Sequence, residues 1–284
     1  VPEDVFDQEA WLARIGYIGP RTPTLETLRA LIAAHTAAIP FENIDPFVGR
    51  VPKLDLASLQ AKIVSGGRGG YCYEQNMLLR AGLTALGYPV TSLLARVIRN
   101  MTIDAARPAT HMVLRVDLQQ GTFLADVGFG NLTPTAPLGL RPDVEQETPH
   151  EVMRLMPVGE ELTLQARIGD EWQSVYRVTP QARLDADYEI ANWFVATHPN
   201  SLFIANMIVG RPGPDGVRHT LLNGLLSARR GGELVERRML DDAASHAEAL
   251  RHTFGLVLSD ADMAAAWKEL DRRGSLGKPH PFVT

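Results

Sequence analysis

Hydrophobic positions in the first third of the chain recur at helical spacing. Trp11, Leu12 and Ile15 fall on one side of a short helix. Leu25, Leu28, Leu31 and Ile32 make the face of a second, opened by Thr22-Pro23-Thr24 and closed before Pro40. Leu56, Leu59 and Ile63 give a third, capped by Asp55 and ended by Gly66 and Gly67. A fourth is predicted from Tyr73 to Leu86, rich in good helix formers and stopped by Gly87 and Pro89. From Val90 the period changes. TSLLARVI, HMVLRV, TFLADV, EVMRLM, ELTLQARI and EWQSVYRV read as strands, several divided by turn signals such as Gln120-Gly121 and Gly169-Asp170. Strands that follow one another without helices predict an antiparallel barrel or sandwich. The proline- and threonine-rich stretch from Asn131 to Pro149 is expected to wrap it. The last third is mixed. Asp185 to Thr197 reads as a helix, and FIANMIVG, HTLLNGLLSAR and ELVERRML read as strands around a Gly231-Gly232 turn. Two terminal helices are predicted, Asp242 to Phe254 and Asp260 to Arg273. The fold class is α+β in three parts: a helical domain over 1–88, an antiparallel β-barrel over 89–184 and an α/β domain over 185–284.

Composition narrows the function. With 45% hydrophobic and 21% charged residues, the chain has the balance of a soluble globular protein. The net charge of −5 argues against nucleic acid as a partner, because such binders present a basic face. No apolar run approaches the ~18 residues of a membrane span. The opening VPEDVFDQEAW lacks the basic, apolar and small-residue series of a signal peptide. A single cysteine cannot form an internal disulfide, which fits a reducing cytoplasm. One cysteine and scattered histidines give no zinc spacing, so no metal is expected.

That cysteine, Cys72, stands in GGRGGYCYEQN, Gly66 to Asn76, at the head of the fourth helix. Unpaired N–H groups and the positive end of the helix dipole favour a thiolate at such a place. The glycines before it allow a sharp turn and leave the sulfur uncrowded. A lone cysteine is by default a small buried apolar residue, so catalysis requires a base and an orienting group beside it. The hairpin HMVLRVDLQQGTFLADVGFG supplies both. If Asp117 to Gln120 form a four-residue loop, His111 lies directly opposite Asp126, with Cβ atoms ~5 Å apart. A slip of one residue breaks the pairing. Asp126 also interrupts an apolar run, where an unpaired carboxylate is costly to bury. In PFENID, Pro40 to Asp45, Glu42 is expected to pair with Arg68 and fix the segment beneath Cys72.

RGGYCYEQN, PFENID, the THMVL strand and ADVGFGN together resemble the arylamine N-acetyltransferase family. The resemblance implies a Cys-His-Asp triad on a core of the papain and transglutaminase kind, with the last third as a lid. Cys72 is then nucleophile, His111 base and acid, and Asp126 orienter. The donor is acetyl-CoA, a co-substrate rather than a resident cofactor, and the acceptors are arylamines, arylhydrazines or N-hydroxyarylamines. Thr110, Gly128, Phe129, Gly130 and Asn131 fall where the family approaches CoA; Phe41, Tyr71, Phe129 and Phe203 fall in the acceptor pocket. The same triad also serves amide synthases that release polyketide chains and cysteine hydrolases, and those alternatives stay open on sequence, as does the oligomeric state.

Overall fold

The computed structural model describes residues 5–274 and 276. The four predicted helices form at Gln8–Arg14, Leu25–Ala38, Leu56–Leu59 and Cys72–Ala85, and one short further helix, Ile44–Phe47, lies between the second and third of them. Thr24 caps the second, its Oγ1 accepting from the Thr27 N–H at 3.2 Å. Asp55 caps the third through the Ser58 N–H at 2.9 Å. The third then widens into a π-helical turn, Gln60–Ser65, which the apolar spacing does not reveal.

The segment between the second and third helices is more ordered than a loop. Phe41–Glu42 is a strand, β1, and it pairs with the last third of the chain rather than with its neighbours in sequence. Next come β2 (Val90–Val97), β3 (Ala109–Leu118), β4 (Gly121–Ala125), β5 (Leu138–Gly139), β6 (Gln146–Glu147), β7 (Val152–Val158), β8 (Glu161–Ile168) and β9 (Glu171–Ala182). They form one antiparallel sheet in the order β5-β4-β3-β2-β9-β8-β7-β6. Its two edges are drawn together: the Gln146 side chain accepts from the Gly139 N–H at 2.7 Å and donates to the Gly139 carbonyl at 3.0 Å. The sheet is thus a nearly closed barrel, and the Asn131–Pro149 stretch supplies both edge strands instead of simply wrapping it.

The β3–β4 hairpin differs from its predicted register. Leu118 faces Gly121 and Val116 faces Phe123, so the loop is the two-residue Gln119-Gln120. His111 is therefore not directly opposite Asp126, which lies just past the end of β4. The displacement is two residues, and side-chain direction repeats every two, so both still point to one face.

After the helix Asp185–Thr197 come β10 (Ile208–Pro212), β11 (Val217–Leu222), β12 (Leu225–Arg230) and β13 (Glu233–Met239), in a sheet ordered β1-β10-β11-β12-β13. Two expectations change here. Phe203 belongs to a short helix, Leu202–Ala205, not to a strand. HTLLNGLLSAR is a hairpin folded at Asn223-Gly224, with Asn223 at φ 54°, the left-handed conformation that Asn tolerates. The helices Ala243–Glu248 and Asp260–Arg273 follow. Among the described residues no helix is long and apolar enough to cross a membrane.

Alternation along β3 makes it the wall between two cores. Met112, Leu114 and Val116 pack against the helices with Leu78, Leu79 and Leu83, while Val113 packs inside the barrel with Leu93, Leu124 and Leu155. A third core lies around β10–β12 and the last helix, with Phe47, Val209, Leu226, Phe254 and Leu270.

Candidate active site

Cys72 is the first residue of its helix and is almost fully buried. Gly69 and Gly70 run in extended contact with the β1 strand, Gly70 accepting from the Glu42 N–H at 3.1 Å. A Cβ on Gly69 would stand 2.2 Å from the Pro40 carbonyl oxygen. These glycines serve close packing against β1 more than a sharp turn. Gly128 does the same on the other side, where a Cβ would lie 2.6 Å from the Cys72 Cα.

Beneath the helix start, Glu42 and Arg68 pair as expected. Arg68 donates to Glu42 Oε1 from Nε at 3.0 Å and Nη2 at 2.7 Å, and Glu42 Oε2 accepts from the Ile44 N–H at 2.7 Å. The pair belongs to a larger buried cluster. Lys62 Nζ lies 2.6 Å from Asp45 and 2.7 Å from Glu74, and Glu74 Oε2 accepts from the Tyr71 N–H at 3.1 Å. Burial pushes the Glu74 carboxyl up to about 7, with Lys62 pulling the other way. Acid and base here hold the backbone just ahead of Cys72 in place.

His111 and Asp126 meet at the mouth of the barrel. His111 Nε2 is 2.8 Å from Asp126 Oδ2, and both side chains are sealed from solvent. A β-bulge brings them there. His111 faces Ala95 in the β2–β3 ladder, but Arg96 faces Ala109, so Thr110 is the extra residue. The Thr110 carbonyl accepts from the Tyr73 hydroxyl at 2.7 Å and lies 3.9 Å from Cys72 Sγ. Asp126 is held from every side. Its Oδ1 accepts from Asn76 Nδ2 at 2.9 Å and from the Gly128 N–H at 2.8 Å. Asn76 in turn donates to the Met112 carbonyl at 2.8 Å and accepts from the Val127 N–H at 3.1 Å.

Since Nε2 is bound to Asp126, Nδ1 is the imidazole nitrogen that remains, and Cys72 lines the same cavity as His111. Burial works against a charged imidazole, but the Asp126 carboxylate outweighs it and the Cys72 sulfur adds to the effect. His111 is pushed up to about 10. Asp126 moves in the opposite direction: burial raises it, and His111, Asn76 and the Gly128 N–H together hold it below the ordinary carboxylate range. The Phe129 and Tyr176 rings clamp the imidazole, with centroids 5.1 and 4.9 Å away.

A cavity of about 420 Å³ opens over this group. Cys72, Thr110, His111, Gly128, Phe129, Gly130, Asn131, Phe41 and Phe203 all line it, which brings together two members of the predicted triad, the predicted CoA-approach residues and three of the four predicted pocket aromatics, while Asp126 lies fully buried behind His111. Tyr71 is the exception. It is fully buried behind the lining, edge-on to Tyr73 and Phe203, with its hydroxyl bonded to Asn192. Its place at the helix N-cap turns the ring into the core. The sequence reading gave no role to Asn76, Lys62 or Tyr176, nor to the cavity residues Arg99, Arg107 and Asn200. Asn76 carried a usable signal, a polar residue one helical turn after Cys72 and so on the same face. The others come from distant segments that nothing local connects.

A family model described as N-acetyltransferase matches residues 24–263, the span that contains all of these groups. The arylamine N-acetyltransferase of Mycolicibacterium smegmatis is 41% identical over 260 residues, covering 90% of this chain and 94% of that protein. The arylamine N-acetyltransferase / N-hydroxyarylamine O-acetyltransferase of Salmonella typhimurium is 38% identical over 263 residues, covering 90% and 93%. The solved structure of Mycobacterium marinum arylamine N-acetyltransferase in complex with CoA is 40% identical and superposes with a TM-score of 0.89, over 94% of this chain and 99% of that one. The fold and the matched span define an acyltransferase of the N-acetyltransferase class. Within that class, the chain belongs to the arylamine N-acetyltransferase family.

Proposed function

We propose that this enzyme moves an acetyl group from acetyl-CoA to arylamines, arylhydrazines or N-hydroxyarylamines through an acetyl-Cys72 intermediate. The observation that carries the reading is that a carboxylate is fixed on one imidazole nitrogen of His111, and that His111 and the helix-head thiol of Cys72 line the same open cavity. The Cys72 sulfur attacks the thioester carbonyl, the C–S bond to CoA breaks, and the departing thiolate takes the proton of His111. N–H groups of the first helical turn, unpaired within the helix, face the developing oxyanion. An amine then attacks the acetyl carbonyl, His111 takes its proton, and the Cys72–acetyl bond breaks. Asp126 holds the ring and stabilises its charge throughout.

The related structure with CoA supports the donor, and the name of the Salmonella relative supports both N- and O-acceptors. Thr110 and Gly128–Asn131 are the proposed CoA-facing edge; Phe41, Phe129 and Phe203 are the proposed aromatic walls. An arylamine is largely neutral at pH 7 and hence nucleophilic, whereas an alkylamine is mostly protonated, so the chemistry itself favours aromatic acceptors. A nucleophilic thiol suits the reducing cytoplasm. CoA release from acetyl-CoA, measured with and without an arylamine, tests the reading. Release should depend on the arylamine; equal release in both would mean water is the acceptor and the enzyme a hydrolase.

A further inference from the structure

Beside the reaction cavity, and sharing Arg99, Asn131 and Thr220 with it, lies a second recess of about 170 Å³. Three guanidinium groups line it: Arg99 just after β2, Arg218 on β11 and Arg229 on β12. Glu151 is the one carboxylate among the lining residues, and Arg218 holds it, through Nε at 2.6 Å and through Nη2. Arg218 Nη2 also donates to the Thr133 carbonyl at 2.9 Å, and Arg229 Nη1 to the Gly232 carbonyl at 3.1 Å. Donors are left over. Arg218 Nη1 and Arg99 Nε are buried and have no hydrogen-bond partner among the described residues, although Arg218 is only 5% exposed. Burial, with Arg218 and Arg229 close by, holds the Arg99 guanidinium below its ordinary value.

Buried charged donors left without acceptors are costly, and native proteins rarely keep them without a reason. Crowding three like charges around one carboxylate adds to that cost. Both costs are relieved by an anion whose oxygens fit the planar guanidinium fork. We propose that this recess is an anion-binding subsite, which takes a phosphate or carboxylate borne by a substrate seated in the reaction cavity. The shared residues make the two spaces continuous, so one molecule can span them. The guest is either a phosphate of the CoA donor or a carboxylate on the ring of an acceptor.

Which substrates reach the recess rests on the acetyl-transfer reading; binding of a free anion does not, so the two can fail separately. Inorganic phosphate and benzoate, each at constant ionic strength, should raise the melting temperature of the wild type. The rise should vanish in Arg99→Gln and Arg229→Gln. Turnover then identifies the source, with 4-nitrophenyl acetate and aniline as a reference pair that brings no anion. If the guest is a CoA phosphate, kcat/KM for acetyl-CoA in Arg99→Gln falls about tenfold relative to the reference pair. If it is an acceptor carboxylate, the fall is confined to 4-aminobenzoate relative to aniline. Arg99→Lys should recover part of either loss by restoring charge without the fork. The proposal is overturned if the wild type responds to neither probe, a result that stands whether or not a variant folds. It is equally overturned if both Gln variants retain the wild-type melting shifts and substrate ratios.

Discussion

His35, in the helical core, and His111, at the mouth of the barrel, are 0% and 2% exposed, yet they are driven to opposite charge states. His35 packs beside Trp11, and neither ring nitrogen has a hydrogen-bond partner among the described residues. Burial pushes it down to about 3, against a partial offset from Gln75. His111 loses as much water but gains the Asp126 carboxylate at 2.8 Å, and is pushed up to about 10. Burial alone makes an imidazole a neutral core residue. Burial with a fixed carboxylate keeps a proton on it. Most of the difference comes from the Asp126 carboxylate, and Asn76 and the Gly128 N–H hold that side chain still.

The comparison breaks most severely at Asp126. Asp126→Asn keeps the size of the side chain but removes its charge, so His111 should become neutral, as His35 is. Acetyl transfer should fall by about 10²- to 10⁴-fold. Circular dichroism must show the variant folded for the loss to count. A folded and fully active Asp126→Asn enzyme would mean that another carboxylate orients the base.

The stability–pH profile sharpens the same contrast, because the two histidines act with opposite sign. His111 binds its proton more tightly folded than unfolded, so its contribution is complete below the ordinary value of ~6.5. That contribution is lost as pH rises towards about 10. His35 binds its proton more weakly when folded, so it destabilises the protein as pH falls from ~6.5 towards about 3. Denaturant unfolding of the wild type against Asp126→Asn should isolate the alkaline slope, and against His35→Leu the acid slope. Imidazole NMR should find His111 protonated, and His35 neutral, at pH 7.

The smallest effect is expected from His35→Leu itself. It replaces an unpaired buried imidazole with an apolar side chain, so stability at pH 7 should change by no more than ~1 kcal/mol, in either direction. Acetyl transfer should not change. A large loss of activity would place His35 in the machinery and erase the distinction between the two sites.

Much of this was legible in the sequence, for local reasons. Thr24, Asp55 and the Gly87-Pro89 stop bound helices whose apolar faces repeat every three or four residues, so the position of Cys72 at a helix head could be read directly. The His111–Asp126 meeting was legible by face but not by register. A four-residue loop and the actual Gln119-Gln120 turn differ by two pairing steps, which leaves side-chain direction unchanged. Asn223-Gly224 is a hairpin signal in its own right, and it was hidden by the continuous apolar texture on either side. The pairing of β1 with β10, the π-helical turn and the Lys62–Glu74–Asp45 cluster were beyond local reading. Each depends on contacts between segments that are far apart in the chain, or on a hydrogen-bond shift that leaves no mark in composition.

The central claim is that Cys72 carries the acetyl group between donor and acceptor, and intact-protein mass spectrometry after mixing with acetyl-CoA tests it most directly. The wild type should gain one acetyl group, proteolysis should place it on the peptide that holds Cys72, and addition of an arylamine should remove it. Cys72→Ala should gain none. Equal acetylation of Cys72→Ala, or an acetyl group that stays on the wild type when the arylamine is added, would contradict the account.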